Sequence, residues 1–266
     1  MADARKIALK KPTRLELLRE LDSVADERKA RNLAWFFKTG PGEYGEGDIF
    51  LGITVPVARK IALRHTHLSL REIARLLAST IHEHRFVAFE ILVAQYDKAD
   101  EDRRQRIFDF YLQHTHRANN WDLVDTSCRY IVGEHLVARP RAHRSRLLDE
   151  LAISPMLWER RIAIVSTFAF LAQGETKDTL RIARKLLGDK EPLIHKAVGW
   201  LLREAGKVSR PELEKFLEMH AAKMPRTTLR YAIERFSPED RKMWLKIGKP
   251  PKTQKGIYRN GMSTSA

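Results

Sequence analysis

Apolar helix starts recur along this chain at Ala88, Val124, Ala163 and Ala197, at steps of 36, 39 and 34 residues. Each opens a helical stretch rich in apolar residues and follows a more amphipathic one. This period constrains the fold more than any single motif does. A helix pair that cannot bury its own apolar face must stack on the next pair. Two-helix units of roughly 40–47 residues are HEAT-like. Stacked, they share one continuous core and leave a concave surface lined by every second helix. An irregular helical bundle is the competing architecture.

The local punctuation agrees with stacked helices. Leu15, Leu17, Leu18, Leu21 and Val24 form one apolar stripe, and Leu33, Trp35, Phe36 and Phe37 belong to a second helix. Thr54 with Pro56 reads as a cap with proline in the first turn, and Ser69 with Glu72 as a capping box. Further helices are expected over 83–98, 101–115, 121–138, 142–152, 156–173, 176–187, 191–206, 209–222, 226–235 and 238–246. No stretch alternates as a strand would. The expected fold is therefore all-α, a HEAT-like helical-repeat solenoid with a concave basic groove. The one long interruption is the Gly-rich segment Thr39 to Gly52, read as a loop that could lie against a ligand. It is not a P-loop, because no strand precedes it and no Gly-Lys-Ser/Thr follows.

Residues 12–247 are expected to form this domain, between a disordered N-terminal tail (1–11) and a basic disordered C-terminal tail (248–266) rich in Lys, Pro and Gly. Lys and Arg outnumber Asp and Glu by 49 to 34, a net +15 that points to a polyanion, most simply a nucleic acid backbone; charge alone fits a soluble protein that is merely basic equally well. The single Cys128 rules out an intrachain disulfide and any cysteine-based metal site. The first residues lack a signal-peptide h-region and no apolar run is long enough to span a bilayer, so a cytoplasmic protein without membrane contact is expected.

The chemistry concentrates in Asn119–Asp125, read Asn-Asn-Trp-Asp-Leu-Val-Asp. Trp121 and Asp125 are four apart, so on a helix an indole and a carboxylate share one surface. Asn119 or Asn120 can cap this helix, and Asp122 in its first turn suits the positive end of the dipole. An aromatic beside a carboxylate in so basic a chain makes sense if something cationic is held there. Repeat stacking then aligns the inner helices. Arg85 comes from the first, Trp121 and Asp125 from the next, and Trp158 and Arg161 from the third. Lys196, Trp200 and Arg203, at i, i+4 and i+7, come from the fourth. Taken singly, such a Trp is more often core and such an Arg more often solvated.

These motifs resemble the bacterial DNA alkylation repair family, the HEAT-like alkylpurine DNA glycosylases. The resemblance runs from about Ala34 to Phe236. It rests on Phe37-Lys-Thr-Gly with the Gly-rich loop, Trp121-Asp-Leu-Val-Asp125, Trp158-Glu-Arg-Arg161 and Lys196-Ala-Val-Gly-Trp200-Leu-Leu-Arg203, with Met224-Pro-Arg-Thr-Thr-Leu-Arg230 in support. It implies hydrolysis of the N-glycosidic bond of cationic purines, 3-methyladenine and 7-methylguanine, in double-stranded DNA, by a monomer without metal or cofactor. It further implies that Trp121, Asp125, Arg161 and Trp200 form the catalytic cluster, with Arg161 on a phosphate. Phe36, Lys38, Arg85, Lys196 and Arg203 would then contact DNA. Two departures stand out: Phe36 aligns with a tyrosine of the family, and Asn120 with a tryptophan. A non-catalytic HEAT-like module that binds damaged or branched DNA is the principal rival, and a protein-binding HEAT scaffold the second.

Overall fold

The computed structural model describes residues 13–247; both expected tails, 1–11 and 248–266, lie outside the described residues. The chain is a succession of helices: α1 (Arg14–Asp22), α2 (Glu27–Phe36), α3 (Val55–Arg64), α4 (Leu70–Leu77), α5 (His82–Asp97), α6 (Glu101–Gln113), α7 (Trp121–Cys128), α8 (Glu134–Val137) and α9 (Arg141–Ala152). They continue as α10 (Leu157–Val165), α11 (Phe168–Ala172), α12 (Lys177–Leu186), α13 (Pro192–Val208), α14 (Arg210–His220), α15 (Arg226–Ala232) and α16 (Pro238–Lys246). Among the described residues there is no strand, only an isolated bridge between Ile49 and Ile81. The expected all-α repeat is what the chain forms.

The helices pack in two rows. Neighbours α3, α5, α7, α10, α13 and α15 touch in sequence and make one row, while α4, α6, α9, α12 and α14 back it. A single apolar core runs between them, from Leu17 and Ile61 through Phe89, Tyr111 and Phe170 to Leu229 and Trp244. Capping holds the starts in place. Ser69 and Glu72 form the expected box, and Thr13 with Glu16 a second one. Thr54 caps α3 by position alone, without a side-chain hydrogen bond. Only part of the first apolar stripe is core: Leu17 and Leu21 are buried, and Leu15 and Val24 are exposed.

Two long helices expected from periodicity are interrupted, and the interruptions face each other. The 121–138 segment passes through a π-helical turn, Arg129–Gly133, before α8. The 156–173 segment breaks at Ser166–Thr167 between α10 and α11. Gly133 explains why these backbones can meet. A Cβ there would fall 2.5 Å from the Ser166 carbonyl and 2.8 Å from Ala169 Cβ, so only glycine fits.

The Gly-rich loop is held by the chain itself. Glu83, buried in the first turn of α5, accepts the backbone N–H groups of Leu51 (2.9 Å), Gly52 (2.8 Å) and Ile53 (3.1 Å). Gly52 sits at φ +83°, and a Cβ would lie 2.1 Å from the Asp26 carbonyl, which fixes the residue type. The loop thereby packs α2 and its own Asp48 against the start of α5.

Candidate functional site

Trp121, the first residue of α7, is placed by Asn120, whose Oδ1 accepts the Trp121 N–H at 2.8 Å; of the two candidate caps, Asn120 is the one used. The α7 face left partly open carries Trp121, Asp122, Asp125, Thr126 and Arg129. Trp121 and Asp125 therefore share a surface, as their spacing requires. The indole lies against Phe37 (centroids 5.3 Å, 27°) and edge-on to Phe36 (6.2 Å, 70°), so the two aromatics at the end of α2 wall one side of it.

Asp125 is held by a fork. Arg161 donates from Nε to Oδ1 at 2.8 Å and from Nη2 to Oδ2 at 2.7 Å, and its Nη1 reaches the Leu193 carbonyl at 2.8 Å. One guanidinium on α10 thus joins α7 to α13. Burial lifts the Asp125 carboxyl above the usual carboxylate range, Arg161 pulls against that rise, and Asp122 adds to it. Arg161 itself is 5 % exposed and spends its donors on protein acceptors. Its guanidinium fork thus faces the Asp125 carboxylate and the Leu193 carbonyl.

Trp200, half-buried on α13, meets Phe168 of α11 (5.8 Å), and the Arg129 guanidinium lies 4.2 Å over the same Phe168 ring. Arg129 lies one helical turn beyond Asp125 on the same face; sequence reasoning passed over it, although that i+4 spacing marked it. Trp158 is core, 8 % exposed, with Tyr44 edge-on at 6.1 Å. Tyr44 was also missed. Its hydroxyl approaches the Phe36 carbonyl at 3.5 Å, and Trp121, Asp122 and Arg161 are among its electrostatic neighbours. A phenol is therefore present beside the position where Phe36 lacks one.

The expected DNA-contacting cations divide. Lys196 is exposed and has no ion pair among the described residues. Lys38, at φ +55°, is exposed and lies 3.6 Å from Glu43. Arg203 is tied to Glu204 and Glu234. Arg85 is buried. At 2 % exposure it donates to Asp48 (2.6 Å) and to the Ser79 carbonyl (2.8 Å), and it does not reach the groove.

Beneath Trp121 lies a group absent from the sequence reading. His82 is buried between two carboxylates, with Nδ1 3.1 Å from Asp48 and Nε2 2.8 Å from Asp122. Burial opposes its charge, but the two carboxylates outweigh that and push its pKa up to about 9. Burial likewise acts to raise Asp48, and His82 and Arg85 more than reverse this. His82 also stacks on Phe50 (4.5 Å) and lies 5.2 Å from Phe37, which carries Trp121. Among the described residues no cluster of His, Cys, Asp or Glu is arranged to hold a metal ion.

Against known proteins, the described DNA alkylation repair enzyme family matches residues 17–236, which include every residue of this site. The chain belongs to the DNA alkylation repair family. A solved structure, a predicted DNA alkylation repair enzyme from Enterococcus faecalis, superposes with a TM-score of 0.63 at 14 % identity, covering 80 % of this chain and 97 % of that one. At that identity the likeness is one of fold. No curated protein sequence matches the chain. Membership places this family member in the repair of alkylation damage, with DNA as its substrate. Among the described residues no helix is long and apolar enough to cross a membrane.

Proposed function

We propose that this chain is a monofunctional DNA glycosylase that hydrolyses the N-glycosidic bond of cationic alkylated purines in double-stranded DNA, in base excision repair. The observation that carries the reading is the forked Asp125–Arg161 pair beside an open indole, Trp121, on the same helix face. Alkylation at N3 or N7 has already made the purine cationic, so the base departs neutral and positive charge develops on the sugar. A carboxylate fixed by a bidentate guanidinium has little freedom to reorganise as that charge forms, which is what electrostatic stabilisation of a transition state needs. With its carboxyl lifted by burial, Asp125 is also suited to orient and deprotonate the attacking water. The Trp121 face, and Trp200 across the row, attract the cation, each by roughly 0.5–2 kcal/mol according to desolvation.

In this reading Asp125 and Trp121 touch the reacting sugar, and Arg161 acts through Asp125. Arg129 and Lys196 supply phosphate contacts, with Phe36, Tyr44 and Lys38 at one end of the groove. The lability of the cationic lesion supplies much of the selectivity, so neutral damaged bases are poor substrates. The test is incubation with methylated duplex DNA, following released bases by chromatography. Release of 3-methyladenine and 7-methylguanine supports the reading; binding without release sinks it in favour of a DNA-binding module.

A further inference from the structure

His82 is a buried polar group held between carboxylates of two different elements. It opens α5 among Phe37, Phe50 and Phe86, and both ring nitrogens are committed, one to Asp48 in the 37–54 loop and one to Asp122 in the first turn of α7. The groups facing it are few. Glu83 and Arg85 stand on its own helix, Asp48 comes from the loop and Asp122 from α7, while Asn119 donates to Asp48 and Arg117 bears on Arg85. Of these, Glu83 is consumed by three backbone N–H groups, and Arg85 by Asp48 and Ser79. Among the described residues the His82 ring is the group that hydrogen-bonds both carboxylates, and Asp122 is the residue next to Trp121.

We propose that His82 is a positioning residue for the groove, a doubly donating imidazolium that ties the loop to the first turn of α7 and so fixes the indole of Trp121. The inference rests on the glycosylase reading of the Trp121–Asp125 face. Two lines of geometry support it. Through Asp122, His82 sets the backbone turn from which Trp121 projects. Through Phe37 and Phe50, it backs the ring surface on which the indole rests. The link cannot be made by a group with a single donor, because releasing either carboxylate frees one side of it.

The fold also supplies a way to test this. His82 lies at the wall of a cavity of about 340 Å³ whose rim includes exposed Lys29, Asn32 and Thr54. A small ligand can therefore reach the space that a shortened side chain leaves. In single-turnover base release from methylated duplex at saturating protein, His82→Ala should be slower by on the order of 10²-fold, the scale of a small misplacement of a reacting group. Its DNA affinity should stay within about twofold, a loss confined to the chemical step.

Added imidazole, which carries two donors when protonated, should restore the rate; 1-methylimidazole, with one, should not. Asp122→Asn cuts the same link from its more exposed end and should also slow release, and it stands in if His82→Ala does not fold. Combined with His82→Ala it should add little, because both changes break one unit. Folded variants that release base at the wild-type rate overturn this proposal alone. A wild-type protein that releases no base overturns the glycosylase reading and this proposal with it.

Discussion

Arg161 and Asp125, one helix apart in the stacked row and 36 residues apart in sequence, form a two-point ion pair in which the arginine is buried and the aspartate is partly open. The asymmetry assigns their roles. The open partner can reach a substrate, and the buried one can only hold it. Arg161→Lys keeps a cation but loses the planar fork, so Asp125 should be freed to rotate and base release should slow. Arg161→Ala leaves a half-buried carboxylate without its partner and should destabilise the fold by about 3 kcal/mol, the low end for breaking a buried pair. Urea denaturation and single-turnover release measure the two effects. An alanine variant as stable as the parent would show that the pair contributes nothing to the fold.

The pairing of Arg85, Arg161 and Arg203 bears on salt dependence. A net charge of +15 predicts strong phosphate binding, yet these three guanidinium groups are neutralised within the protein. DNA affinity should fall with salt at a log–log slope of about −0.9 per phosphate contacted. Lys196→Ala should make that slope shallower by roughly one, and Arg203→Ala should change it less. Fluorescence anisotropy across a salt series decides. Equal changes for both would mean that Arg203 leaves its carboxylates on binding.

His82 makes stability depend on alkaline pH. Its pKa in the folded chain is pushed up to about 9, above the ordinary 6.5. A raised histidine contributes fully below the unfolded value, and its contribution disappears as pH climbs through the folded one. The wild-type protein should therefore lose roughly 3 kcal/mol between pH 6 and pH 10 that His82→Gln does not lose, taking about 1.4 kcal/mol per pH unit. Urea midpoints of both proteins across that range give the difference. Parallel curves would mean that His82 is uncharged.

Much of this was legible in the chain because it depends on short spacings. Asn120 and Ser69 cap helices through neighbours one to three residues away, and Trp121 with Asp125 share a face through one helical turn. The repeat steps from Ala88 to Ala197 place α5, α7, α10 and α13 in one row. What escaped depends on partners one repeat away. Nothing near Arg85 reveals that Asp48, in a loop without periodicity, will bury it. Nothing near Arg161 distinguishes a carboxylate on the neighbouring helix from a phosphate. The π turn at Arg129–Gly133 left one signal, a glycine inside an apolar helix, and its meaning rests on Ser166.

The prediction with most at stake separates charge from surface at the groove. Asp125→Asn keeps the shape and a hydrogen-bonding group but removes the negative charge, leaving Arg161 to bond a neutral amide. If the carboxylate stabilises the sugar cation and directs water, release of 7-methylguanine should slow by about 10²-fold or more, the scale for losing one well-placed electrostatic group. Affinity for an abasic analogue should hold, because phosphate contacts dominate binding. Trp121→Ala should behave differently. It removes the ring that Phe36 and Phe37 support, so it should slow release and weaken binding together. Single-turnover excision and binding to the abasic duplex read both quantities on each variant. An Asp125→Asn protein that excises at the parental rate would take the carboxylate out of the mechanism and leave the groove as a DNA-binding surface.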